Sequence, residues 1–256
     1  MKDNQSKAER FWEIDCARGL AVVLMVTLHF VEDLSFFKAA NFQWNINLWY
    51  FWQRSTAGLF LLLVGISLSL SYYRTRTSGE ARIFNRSLKR GAGLIACGLV
   101  VTIVTKLFLK EGYVVFGILH FIGIAVILSY PLVVFRYLNL FLGVLAISFG
   151  IYLNGLRFDF PWLVWAGCIP GNFFTVDYFP LFPWIGLVLI GLFIGNTFYT
   201  DLIRKFPLKD LSKLSPIRFL SRLGKNSLII YLVHQPLFVG VILLVKFLKA
   251  GIFRSL

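Results

Sequence analysis

The residue whose type and position best suit acid–base chemistry is His29, near the end of the first long apolar run of the chain. Glu32 and Asp33 follow it by three and four positions, a spacing that places all three on one face of a helix. A carboxylate bonded to one ring nitrogen fixes the tautomer, leaves the other nitrogen basic and stabilises the imidazolium. We therefore expect His29 to be a catalytic base supported by Glu32 or Asp33. The alternative is a buried histidine that a neighbour satisfies.

The other two histidines of the chain, His120 and His234, also lie inside apolar runs. Ionisable groups within membrane spans are costly and persist mainly where they face a polar interior or an aqueous cavity. Three such histidines indicate a polar interior or a proton-transfer site, which makes His120 and His234 further catalytic candidates. No His-x-x-x-His or Cys-x-x-Cys spacing accompanies them. A zinc site built from separate helices is the weaker interpretation, and we expect no metal.

A second set of charged residues stands where the first and third apolar runs begin. Asp15 and Arg18 are three positions apart and can pair, while Arg86 and Arg90 lead into the third run. The planar guanidinium binds two phosphate oxygens at once, so these four residues predict a site for an anionic cofactor. The alternatives are an interfacial Asp15–Arg18 ion pair that anchors the helix, and arginines that signal topology or contact lipid headgroups.

The elements that must position these residues are membrane helices. The chain is 58% hydrophobic and only 15% charged, and its apolar residues form runs of the ~20 residues that a bilayer core requires of a helix. The pattern predicts an all-α, polytopic transmembrane bundle of about seven helices, in one domain over residues 10–250. The predicted helices are 14–34, 48–73, 86–108, 114–134, 137–154, 181–199 and 226–248.

The net charge of +14 comes largely from short loops between these runs, above all 73–90 and 201–225. Basic loops of this kind mark the cytoplasmic side of a membrane protein. With the basic N-terminal segment, they predict a cytoplasmic N-terminus and an external C-terminus. Topology signalling and contact with membrane lipid headgroups account for most of these charges, so we expect no nucleic-acid partner.

Several segments resemble known transmembrane acyltransferases. Residues 15–29 carry Asp-x-x-Arg-Gly, nine further residues and a histidine, like the opening helix of the family that acylates polysaccharides. Residues 227–236 resemble that family's closing Ser-x-x-x-Tyr-Leu-x-His-x-Pro. The overall resemblance is to the prokaryotic heparan-alpha-glucosaminide N-acetyltransferase catalytic-domain-like family, and residues 60–67, 117–123 and 177–184 are similar to it as well.

The resemblance implies an acetyltransferase integral to the plasma membrane, with cytosolic acetyl-CoA as donor and an extracytoplasmic or lipid-linked glycan as acceptor. It implies that Arg18 and Arg90 lie near the CoA phosphates and that His29 is the catalytic base or receives the acetyl group. It is also compatible with a homo-oligomer. One departure is that residues 36–44, where the lysosomal members carry a histidine, have none. A proton-coupled transporter or flippase, or a non-catalytic relative, remains an alternative.

Overall fold

The computed structural model describes residues 10–40, 45–76, 79–109 and 111–254. Within these ranges the chain forms eight α-helices, joined by turns and isolated β-bridges. The helices are α1 (Trp12–Phe36), α2 (Ile46–Thr75), α3 (Glu80–Phe108), α4 (Ile118–Leu128), α5 (Tyr137–Asn154), α6 (Leu181–Phe198), α7 (Ser215–Lys225) and α8 (Ser227–Arg254). Residues 1–9, whose charges entered the predicted orientation, lie outside the described ranges.

Six helices are long and apolar enough to span a membrane: α1, α2, α3, α5, α6 and α8. They coincide with six of the seven predicted spans, which confirms the all-α membrane fold. Their outward faces are apolar: Leu107 and Phe108 of α3 are 79% and 83% exposed, and Phe247 of α8 is 75% exposed. Apolar surface this extensive suits hydrocarbon and not water.

The helices group into two compact units. The first contains α1, residues 46–60 of α2, α7 and α8, and α1 packs against both α7 and α8. The second contains residues 61–75 of α2 and helices α3 to α6. In this second unit α3 packs on α4 and α5 packs on α6. The helix α2 runs without a break through both units.

Within each unit, pairs of helices meet at glycines. A Cβ atom on Gly19 of α1 would lie 1.9 Å from the carbonyl oxygen of Leu220, and one on Gly224 of α7 would lie 2.0 Å from that of Asp15. Contacts of the same kind join Gly65 with Gly191, Gly91 with Gly123, and Gly143 with Gly186. Small residues let helix backbones approach closely, and this close packing holds helices together where lipid provides no hydrophobic drive.

The fourth predicted span, 114–134, is wrong in its length. Its helix α4 has only 11 residues, which at ~1.5 Å per residue is about half of a bilayer core. Gly117 is extended, and the first N–H of the helix, that of Ile118, donates to the Asp177 carboxylate at 3.1 Å. That carboxylate lies so close that a Cβ on Gly117 would be 2.1 Å from it. A residue distant in sequence therefore sets the start of this helix.

After α4 the chain forms consecutive turns over residues 129–134 instead of continuing the helix. Two buried asparagine amides satisfy the carbonyl groups that these turns release. Asn139 donates to the carbonyl oxygens of Leu132 and Phe135, and Asn196 donates to those of Val133 and Phe135. Irregular backbone inside a membrane protein requires partners of this kind.

The helix α7 lies within 201–225, which the sequence predicts to be a polar loop between two spans. It begins with Ser215 and Pro216, and proline favours the first helical turn because the missing N–H needs no partner there. Its buried side is formed by Ile217, Leu220, Ser221 and Gly224, at helical spacing. This periodicity was the available signal for a short amphipathic helix.

The segment between α5 and α6 packs partly through Tyr178, whose hydroxyl donates to the carbonyl oxygen of Val164 at 2.7 Å. Burial raises the pKa of the Tyr178 phenol well above its ordinary value, and the neighbouring Cys168 thiol raises it further. The phenol is therefore neutral in the folded protein and acts as a hydrogen-bond donor.

Candidate active site

In the first unit, α1 and α8 bring two of the three histidines into contact. Nδ1 of His29 lies 2.7 Å from Nε2 of His234. The ring centroids are 4.9 Å apart and the ring planes differ by 18°. With nitrogens so close, that centroid distance requires the rings to lie end to end and nearly coplanar, not face to face. The lone pair and the N–H of an imidazole lie in the ring plane, so this is a well-aligned hydrogen bond.

The other nitrogen of His234 determines the proton positions in the pair. His234 Nδ1 lies 2.8 Å from the carbonyl oxygen of Tyr231 and 3.1 Å from that of Ile230. Carbonyl oxygens only accept, so Nδ1 of His234 must carry a proton. In a neutral His234 the Nε2 atom is then an acceptor, and Nδ1 of His29 must donate to it. The remaining nitrogen, Nε2 of His29, keeps its lone pair.

That lone pair is available for chemistry. Within the described residues Nε2 of His29 has no hydrogen-bond partner, and the residue is only half-buried. His234 itself is only 5% exposed. A basic nitrogen whose opposite nitrogen is held by a fixed acceptor can take a proton from a substrate or attack a carbonyl carbon.

The predicted support of His29 by a carboxylate is not what the structure contains, since His234 occupies that position. Glu32 instead accepts a hydrogen bond from Nε2 of Gln53 on α2, and Trp49 bonds to Glu32 as well. The i+3 spacing put Glu32 beside His29 along α1, but the side chain is drawn to donors on the neighbouring helix. Glu32 is therefore connected to α2 and not to the imidazole.

Asp33 and two residues of α2 leave polar atoms buried near this end of the unit. Oδ2 of Asp33, Nε1 of Trp52 and Oγ1 of Thr56 are buried and have no partner among the described residues. Trp52 directly precedes Gln53 on α2, and Thr56 follows it by three positions. Both therefore lie within one helical turn of the residue that contacts Glu32. The described protein thus leaves one acceptor, one donor and one hydroxyl unsatisfied, and buried polar groups of this kind need an explanation.

At the beginning of α1, the predicted Asp15–Arg18 pair is present. Nη1 of Arg18 donates to Oδ1 of Asp15 at 3.0 Å, and Asp15 is 6% exposed. The second carboxylate oxygen of Asp15 is buried without a partner among the described residues. The Asp15 carboxylate orients the Arg18 guanidinium. Because it is negatively charged, it repels phosphate and does not bind it directly.

In the second unit, Arg86 and Arg90 line one pocket of about 60 Å³. Their i, i+4 spacing on α3 explains why they share it. The rest of the pocket is formed by Leu68, Ser71, Tyr72, Thr75, Ile83, Ser87, Val126, Ser129, Tyr130 and Val133. The two guanidinium groups are one helical turn apart and have six hydroxyl-bearing residues around them, a setting that suits an anionic oxygen.

His120 also belongs to the second unit, on α4. It is 6% exposed, its ring stacks on Phe116 at 5.8 Å, and a Cβ on Gly98 would lie 2.9 Å from the imidazole. Nδ1 of His120 is buried without a partner among the described residues. The structure therefore pairs His29 with His234 and packs His120 tightly between α3 and α4.

Sequence reasoning missed Gln53, Trp49 and Thr56. Gln53 carried the clearest signal, because it is an amide near the beginning of a predicted span, 48–73, where an apolar residue would be expected. Over the part of the chain that the structure describes, no group of three or more His, Cys, Asp or Glu side chains is arranged to hold a metal.

Comparison with known proteins agrees with the resemblance seen in the sequence. A family model described as "Heparan-alpha-glucosaminide N-acetyltransferase, catalytic" matches residues 10–236. No curated protein and no solved structure matches the chain.

Proposed function

The chain belongs to the heparan-alpha-glucosaminide N-acetyltransferase catalytic-domain family, and from that membership we propose that it transfers acetyl from acetyl-CoA to an extracytoplasmic or lipid-linked sugar. The family implies a transferase, and the six apolar helices make it a multi-pass membrane protein. The observation that carries the choice of catalytic group is the geometry of the histidine pair, in which Nε2 of His29 has no hydrogen-bond partner among the described residues.

In direct transfer, Nε2 of His29 takes the proton of the acceptor hydroxyl or amine while the acceptor heteroatom attacks the thioester carbonyl carbon. The tetrahedral intermediate then collapses, its C–S bond breaks, and the thiolate of CoA leaves. The imidazolium returns its proton to that thiolate. The acetyl group ends on the acceptor, CoA is released as the thiol, and His29 is regenerated.

In a two-step route, Nε2 of His29 attacks the thioester carbonyl carbon, the C–S bond breaks, and the products are an acetyl-imidazolium and the thiolate of CoA. The acceptor heteroatom then attacks the acetyl carbon, the C–N bond to His29 breaks, and the neutral ring is regenerated. The proton of the acceptor passes to the thiolate, so CoA is released as the thiol. Both routes use the same lone pair. In both, His234 accepts a hydrogen bond from Nδ1 of His29 and so stabilises the ring when it carries positive charge.

Two features support subsites for the substrates. For the donor, Arg86 and Arg90 in their pocket are suited to phosphate oxygens of CoA, and Arg18, oriented by Asp15, is the other candidate. For the acceptor, the unpaired atoms of Asp33 and Trp52 are the kind of donor and acceptor that sugar hydroxyl or amine groups require. We assign the protein to the plasma membrane, with the donor supplied from the cytoplasm.

The experiment uses purified protein in lipid nanodiscs with radiolabelled acetyl-CoA and glucosamine-terminated acceptors. Wild type should release the CoA thiol and label the acceptor, and His29→Ala should lower the rate by roughly 10²–10⁴-fold. His120→Ala is the matched control, because it removes a buried imidazole that is not in the pair. A His29→Ala protein that is folded and fully active would refute the assignment.

The same histidine pair could serve a proton relay, which is the element that the transporter alternative needs. Nanodiscs cannot report transport, so the protein is also placed in vesicles with a pH-sensitive dye. Proton flux that depends on His29 without any release of CoA thiol would favour a transporter over the proposed transferase.

A further inference from the structure

The helix α7 lies where a membrane surface must be. It ends at Lys225, and the membrane helix α8 begins at Ser227, so only Asn226 separates them. Its other neighbour is the beginning of α1, where Gly19 and Gly224 bring the two backbones into contact. Because α7 adjoins the ends of two spanning helices, it lies at the depth of the lipid headgroups.

Three different faces run along α7 when its residues are placed at ~100° intervals around the axis. One face, with Leu220, Ser221 and Gly224, packs in the protein. The second face is apolar and includes Phe219, which is 58% exposed. The third is basic and exposed, and it consists of Arg218, Arg222 and Lys225.

The charges on this helix have one sign. Ser215–Lys225 contains no acidic residue. The guanidinium of Arg218 donates a hydrogen bond to the backbone carbonyl oxygen of Lys213. An exposed phenylalanine beside a row of cations is the arrangement of interfacial helices, whose aromatic side enters the acyl boundary while the cations meet headgroups. A soluble anion would use the cations but would leave the aromatic side in water.

We propose that α7 is a binding surface for anionic phospholipids of the membrane. Its basic face, Arg218, Arg222 and Lys225, contacts the lipid phosphates, and Phe219 is inserted between the acyl chains. The surface lies outside the histidine pair, and its assignment does not rest on the proposed acetyl transfer. Because α7 packs on the turn of α1 that holds Asp15 and Arg18, bound lipid also fixes the position of that turn.

The test is hydrogen–deuterium exchange of residues 215–225 in nanodiscs of phosphatidylcholine, with and without phosphatidylglycerol. Because an anionic surface attracts the basic residues near it, exchange of α7 should slow by roughly tenfold or more when the anionic lipid is present. Arg222→Gln/Lys225→Gln should lose most of this effect. Phe219→Ser should exchange faster in both lipids.

The matched control is Lys209→Gln/Lys213→Gln, which removes the same charge from the segment immediately before the helix. That control should keep the lipid effect. Equal losses in the two double variants would show unspecific attraction by the basic segment and would overturn the proposal. Equal protection in neutral discs, or protection produced there by CoA or inorganic phosphate, would overturn it as well.

Discussion

The Nδ1 atom of His29 donates to the Nε2 atom of His234 across 2.7 Å, and the carbonyl oxygen of Tyr231 holds the far side of His234. This chain of acceptors fixes one tautomer for each ring. In many acid–base sites a carboxylate serves this purpose. Here a neutral imidazole and a backbone carbonyl serve it, so no buried negative charge is required beside the reactive nitrogen.

The role of His234 can be separated from mere packing by two substitutions. In His234→Gln the amide oxygen can still accept from Nδ1 of His29, whereas in His234→Phe nothing can. Since a hydrogen bond to a charged group contributes ~1.5–3 kcal/mol, kcat should fall roughly 10- to 100-fold in the phenylalanine variant and much less in the glutamine variant. The KM for acetyl-CoA should be unchanged in both. Equal kcat values for the two variants would contradict a positioning role.

Arg86 and Arg90 are expected to act on donor binding. Arg86→Gln and Arg90→Gln should each raise the KM for acetyl-CoA by roughly tenfold or more, because each removes a charge-assisted bond to phosphate, with a smaller effect on kcat. Arg82→Gln is the matched control, since Arg82 is exposed on the same helix and does not line the pocket. Acetyl-pantetheine lacks the nucleotide, so its KM should be insensitive to all three changes. A raised KM for that short donor would place the arginines in another role.

The contact between α1 and α7 predicts that two glycine substitutions have very different effects on the stability of the protein. Gly224→Ala forces a methyl group against the backbone oxygen of Asp15, which cannot rotate away, and should destabilise the protein by about 1–3 kcal/mol. Gly240→Ala on α8 meets nothing within 4 Å and should be neutral or slightly stabilising. Thermal unfolding in detergent measures both. Unfolding midpoints that fall equally in both variants would show that the close approach is not rigid.

The raised pKa of Tyr178 predicts a sensitivity to alkali. Below pH 10 the folded and the unfolded chain both keep the phenol proton, so Tyr178 adds no pH dependence there. As pH rises above 10 the unfolded chain releases that proton while the folded chain retains it, and stability falls. Tyr178→Phe should be less stable than the wild type by ~1 kcal/mol at neutral pH, because the hydrogen bond to Val164 is missing. As pH rises above 10, the stability of this variant should fall less than that of the wild type. Tyrosinate absorbance and unfolding midpoints across this pH range test the prediction, which an identical alkaline profile in both proteins would contradict.

The sequence predicted the features that depend on local composition. Six spans follow from runs of apolar residues, and the Asp15–Arg18 pair follows from helical spacing. His29 was recognisable because an imidazole in an apolar run needs an explanation.

The features that were missed depend on residues distant in the chain. The partner of His29 lies on another helix, and no spacing along α1 reveals it. Asp177 sets the beginning of α4 through a contact made 59 residues away. The i+3 spacing predicts that Glu32 contacts His29. In the structure Glu32 instead accepts a hydrogen bond from Gln53 on the neighbouring helix.

The separation of 205 residues between the two histidines also has a consequence for biosynthesis. A ribosome adding about 5–20 residues per second needs on the order of ten to forty seconds to produce α8 after α1 has emerged. Throughout that interval the nascent chain holds one imidazole without its acceptor. The full reactivity of the site toward thioesters is therefore reached only once α8 has entered the bilayer.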